Sequence, residues 1–150
     1  MTLSELQFTF PDATEETWHQ HSNGGGWVQN TATVATTAYV GPGACVFGNA
    51  QIFGDAKVSD DAWVFGNADV FGYADVFGYS MVFGNAQIFG DAQIFGDAKV
   101  FGDAWVYGNS WVFGIAQVFG DAKVSGDAWV YDNASVYDNA SVSGNDVVTE

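Results

Sequence analysis

The chain has 150 residues and a formal charge of −15, from 18 acidic side chains against 3 basic ones. So few Lys and Arg cannot displace the counterions of a phosphate backbone or hold an anionic bilayer surface, which argues against nucleic acid and membrane as partners. A lone cysteine offers no internal disulfide, no apolar run reaches spanning length, and the first residues lack the basic start and apolar run of a secretory signal; cytoplasm and virion both stay open as locations.

Residues 1–27 carry no repeat and are expected to form an N-terminal cap. Leu6-Gln7-Phe8-Thr9-Phe10 alternates like a short strand, and Asp12 followed by Glu15 has the spacing of a capping box opening a brief helix through Trp18. The cap is expected to pack Leu3, Leu6, Phe8, Phe10 and Trp18, with His19 and His21 facing solvent. Three glycines, Gly24–Gly26, then hand over to Trp27 and Val28.

From Val28 to Val147 the chain divides into twenty hexads without a gap, followed by a tail at 148–150. Position one is always Val or Ile, and position five is Ala in all but three copies, where Ser80, Ser110 and Asp146 stand instead. Positions two, three and four favour Phe or Tyr, Gly, and Asp or Asn. Apolar residues six apart drift around a helix, whereas β-branched and aromatic residues punctuated by Gly-Asp are strand and turn chemistry. Alternation along Ala-x-Val-Phe points Ala and Val to one face and x and Phe to the other. A strand and a corner, repeated, close a three-sided coil every eighteen residues. The expected fold is therefore an all-β, three-sided parallel β-helix of six to seven coils.

Stacking residues eighteen apart sorts the side chains into columns. Side one carries Phe47, Phe65, Phe83, Phe101, Phe119 and Tyr137; sides two and three carry shorter aromatic columns. Position six adds Trp111 directly beside Trp129, next to Tyr131, and sets Lys57 beside Asp75 as an exposed ion pair. At the corners Asp alternates with uncharged residues, which keeps carboxylates from stacking on one another. One Asp–Asp step, Asp103 over Asp121 with Asp138 nearby, is the weak candidate for a Ca²⁺ site, since Ca²⁺ takes oxygen ligands; no other metal or cofactor is expected. Cys45 falls at an outward position without a basic neighbour. The repeats run almost to the last residue, so the final coil is read as either an assembly surface or frayed.

This pattern resembles the hexapeptide-repeat superfamily, over about four-fifths of the chain. The resemblance implies a left-handed β-helix, and its Phe/Tyr-Gly-Asp/Asn-Ala flavour is similar to a bacterial and bacteriophage-type subgroup without assigned activity. Many superfamily members are acyltransferases with a His general base on a loop, and its carbonic anhydrases hold zinc on three His. Here His occurs only at His19 and His21, and no insertion interrupts the twenty hexads. The expectation is a non-enzymatic structural protein that self-associates as a dimer or trimer through the side-one column (Phe47 to Tyr137), as a phage or cell-surface component. The alternatives are a carbohydrate-binding module with Trp111, Trp129 and Tyr131 as platform, an acyltransferase, and, from the early Thr31, Thr33, Thr36 and Thr37, ice binding.

Overall fold

The computed structural model covers Met1–Glu150 and shows a three-sided parallel β-helix of about seven coils under a small N-terminal cap. Each hexad contributes one two-residue strand made of positions six and one. The strands assemble into one sheet of eight and two of seven, and consecutive coils pair in the eighteen-residue register, Lys57 on Asp75 and Trp111 on Trp129 among them. The register persists to the final coil, where Val147–Val148 pairs with Trp129–Val130.

The interior is a single apolar column. Val or Ile at position one and Ala at position five are buried at almost every copy. Ser80 and Ser110 are equally buried, and each Oγ donates to the carbonyl three residues back, Phe77 at 2.7 Å and Tyr107 at 2.8 Å. A hydroxyl is thus accommodated in a dry core by a local bond. Asp146, the third departure from Ala, is exposed, and its Oδ2 accepts from the Ser143 amide at 3.3 Å.

Backbone hydrogen bonds run from coil to coil with a constant offset: the Trp63 amide donates to the Ser80 carbonyl at 3.0 Å, and Asn67 to Gly84 at 2.8 Å. The corners depend on position three. Fourteen glycines there have φ between +61° and +71°, and Asp60, Asp132 and Asp138 adopt the same left-handed conformation at 55–56°. Glycine is needed for a second reason, because a Cβ on Gly84 would lie 2.8 Å from the amide nitrogen of Gly102 in the next coil. The first coil turns differently, and side chains there bond the backbone of the coil below. Thr31 and Thr37 hydroxyls donate to the Gly48 and Gly54 carbonyls, and Gln29 Oε1 accepts from the Gly48 amide at 2.8 Å. This coil-to-coil bonding accounts for two of the early threonines.

The cap departs from the sequence expectation. Leu3–Thr9 is a helix (α1), not a strand, and its capping box is Thr2 with Glu5, not Asp12 with Glu15. The governing period is Leu3, Leu6, Phe10, which places one apolar stripe against the solenoid; Phe8 falls on the opposite side and is 89% exposed. Trp18–Gln20 (β1) pairs antiparallel with Trp27–Gln29 (β2) and covers the upper edge of side one. His21 is buried, its Nε2 2.9 Å from the Ala38 carbonyl, while His19 Nδ1 meets Asn30 Oδ1 at 2.6 Å. His21 therefore belongs to the cap's structure rather than facing solvent.

Replacing Gly84 by Ala forces an L residue into a left-handed corner against the next coil's backbone. Stability is expected to fall by about 1–3 kcal/mol, measured by denaturant unfolding, with an unchanged midpoint counting against this account of the corner.

Candidate functional site

The features that set this molecule apart are on its outer faces. Position two projects outward, and the strand spacing brings its rings together in columns. On side one the ring centroids from Phe47 to Phe119 follow at 4.7–4.9 Å with planes within 4° of parallel, and Tyr137 continues at 5.4 Å. Phe53–Phe71–Phe89–Tyr107 on side two and Phe77–Phe95–Phe113–Tyr131 on side three repeat the arrangement. Coplanar six-membered rings would interpenetrate at that distance, so parallel planes mean that neighbouring faces overlap. Each ring faces its neighbours in the column and shows solvent mainly its rim. Most of these rings are accordingly half-buried, Phe53 and Tyr137 being exposed.

Tryptophans at position six brace the columns. Trp111 and Trp129 stack on each other at 5.0 Å, and both stand edge-on to Phe113 at 6.1–6.3 Å; Trp129 meets Tyr131 in the same way at 6.5 Å. Trp111, Trp129 and Tyr131 are thus brought together, with the indole faces turned toward each other. Trp105 stands edge-on to Phe89 and Tyr107, and Lys123 Nζ lies 4.7 Å from its ring. The signal for this bracing is Trp-Val-Phe/Tyr, which alternation places on one outward face; the cation–π contact follows from the Trp105–Lys123 register.

The upper end of side one is already occupied. Phe10 lies 4.9 Å from Phe47 and 5.5 Å from Trp63, and Trp18 lies 6.0 Å from Phe47. The cap therefore drapes over the outer face of the first coils, and the open part of the side-one column begins at Phe65. Cys45 lies beneath the cap, only 1% exposed. Its outward position in the strand does not make it accessible. Burial, with a smaller contribution from the Asp61 carboxylate, pushes its thiol pKa up to about 11.

The electrostatics of the faces follow from their apolar neighbours. Burial raises the Asp69 and Asp75 carboxyls above the ordinary value of 3.8, and Lys57 partly offsets this at Asp75. Lys57 and Asp75 stand opposite in register without closing to an ion pair; the only ion pair joins the Met1 ammonium to Glu5 at 4.0 Å. At the first corner Asn67 Nδ2 donates to Asn85 Oδ1 at 3.3 Å, and Asn85 Nδ2 to Asp103 Oδ1 at 3.0 Å. Asn109 donates likewise to Asp127 at the second corner. Asp103 and Asp127 thus each accept from the amide of the Asn in the coil above. Asp103, Asp121 and Asp138 do not gather into a group able to hold a metal ion, nor do any other three His, Cys, Asp or Glu. Asp138 occupies the left-handed corner position, φ 55°, and serves the turn.

Residues 92–108 and 116–132 match a family model described as the YdcK beta-solenoid repeat. Both segments fall within the hexad array. No curated protein and no solved structure matches the chain.

With a thiol pKa near 11, only about one Cys45 in a thousand is thiolate at about pH 8. Labelling by a disulfide reagent is expected to be at least about a hundred-fold slower than in the unfolded chain, and Phe10→Ala is expected to speed it. Rapid labelling of the native protein would contradict the draped cap.

A raised carboxyl stabilises the fold in its protonated form, so the contribution of Asp69 and Asp75 is present below their ordinary 3.8 and lost as pH rises through their folded values. Calorimetry should show Asp69→Asn and Asp75→Asn raising Tm at pH 7, with a smaller gain at about pH 4. Lower Tm in both variants at neutral pH would reverse the sign.

Proposed function

We propose that this β-solenoid repeat protein is a non-enzymatic structural element, a rigid acidic spacer that self-associates through its outward aromatic columns. The observation that carries this reading is the unbroken side-one column, whose rungs below the cap run from Phe65 through Phe119 to Tyr137. Its position-six neighbours below the cap contact, Met81, Lys99, Gln117 and Ser135, include no acid. In a chain of charge −15, a face free of acids is where a second copy can approach without bringing carboxylates together. The cap supports the same reading from within the chain, because Phe10 and Trp18 dock on Phe47 as a partner's rings would dock on the rungs below.

The other residues fit a structural role. His21 and Cys45 are buried in the cap and under it, His19 is held by Asn30, and no loop leaves the coils to carry a general base. A flat, stiff face favours a closed dimer or trimer over an open filament, a geometry suited to a virion or cell-surface component.

Sedimentation velocity at high micromolar concentration is expected to show a dimer or trimer. Converting Phe65, Phe83 and Phe101 together to Ser should give a monomer with an unchanged circular dichroism spectrum. A monomeric wild-type protein would rule the reading out.

A further inference from the structure

We propose that the groove between the cap and the third corner binds an organic ammonium ion. Met1, Thr9, Asp61, Trp63, Tyr79 and Met81 wall this groove over Gly43, and it continues into a shallower cleft beside Asp60 and Gly78. Its walls combine two aromatic rings, two thioethers and a carboxylate, a set suited to a cation with an apolar surface.

The groove is built from departures from the repeat. Corner position four carries Asp or Asn in most hexads, but here Gly43 stands above Asp61 and Tyr79 below it. A Cβ on Gly43 would lie 2.8 Å from Asp61 Oδ1 and 2.6 Å from the Asp60 carbonyl. The notch therefore requires glycine. Tyr79 joins no ring column and is 68% exposed. Trp63, in contrast, is fixed by its edge-on contacts with Phe47 at 5.7 Å and Phe65 at 6.4 Å and by Phe10 on the cap. One ring is thus anchored and the other stands free at the corner.

The charge balance points the same way. Asp61 forms no side-chain hydrogen bond and no ion pair, while its charge reaches the buried Cys45 thiol. Asp60 Oδ2 accepts only the Gly78 amide, at 3.1 Å. The only ion pair in the chain joins the Met1 ammonium to Glu5 at 4.0 Å, so neither Asp60 nor Asp61 is neutralised by a cationic partner. A hydrated metal ion would gain nothing from Trp63, Tyr79 and the methionines. An alkylammonium group presents methyl or methylene surface to them and positive charge to Asp61. Such a group arrives either as a free small cation or as a trimethylated lysine side chain.

The test uses the full chain, ¹⁵N-labelled, titrated at constant ionic strength with tetramethylammonium and, separately, with an acetylated trimethyllysine amide. Saturable shifts are expected at the Trp63 indole N–H and the Asp61 and Tyr79 amides. A neutral tert-butyl analogue should bind at least about five-fold more weakly. Asp61→Asn and Tyr79→Ala, both at exposed corner positions, should each weaken binding to a similar degree while circular dichroism stays unchanged. Tighter binding of tetramethylammonium identifies a free cation as the ligand; tighter binding of the lysine derivative identifies a protein side chain. Non-saturating shifts, equal shifts with potassium, or wild-type affinity in both variants would overturn the assignment.

Discussion

The coil-to-coil ladder, in which an amide donates to a carbonyl seventeen residues on, sets the one distance on which the rest of the molecule depends. It holds adjacent coils at the separation of paired strands. At that separation a core of Val, Ile and Ala fills the prism, corner glycines rest on the glycines below, and parallel aromatic rings meet face against face. The rings do not choose this arrangement independently. A column of Phe placed at one position per coil has little other way to fit, and its half-buried state follows.

The same spacing makes charge hard to place, since like carboxylates in one corner column would stand a few ångströms apart. The corners answer by separating most Asp with uncharged residues, and the amide hydrogen bonds from Asn85 to Asp103 and from Asn109 to Asp127 turn part of that repulsion into attraction. On the faces the answer is different. Asp69 and Asp75 sit among aromatic columns, and their raised carboxyl pKa values record the cost of that apolar setting.

The solenoid was legible in the sequence because every coil repeats one local rule. Twenty copies of position one, read with alternation, place Val28 to Val142 inside and the Phe columns outside, and the pairing of Trp111 with Trp129 follows by counting. The cap was not legible in the same way. Gln7-Phe8-Thr9-Phe10 satisfies strand alternation as well as helical period, and the Thr2–Glu5 capping box decides for the helix. The burial of Cys45 was hidden for a related reason: its outward position was legible, but its accessibility depends on where a non-repeating segment lies, and no periodicity specifies that. The orientation of the rings, and hence their partial burial, came from three-dimensional spacing rather than from residue type. The groove at Gly43 combines one unremarked departure from the repeat with a docking angle of the cap, so it became visible only in the assembled fold.

The eighteen-residue register also restricts how such a chain can lengthen. Inserting one hexad would leave the interior acceptable, Val on Val and Ala on Ala, yet everything downstream would turn by a third of a circle about the prism axis. The side-one rings would then continue onto a different face, and each corner's Asp–Asn alternation would meet another corner's. Only whole coils preserve both interior and exterior. Residues 46–57 and 82–93 agree at eleven of twelve positions and are separated by thirty-six, which is two full coils. A whole coil added to the array therefore satisfies core and outer faces together, whereas a single hexad satisfies the core alone.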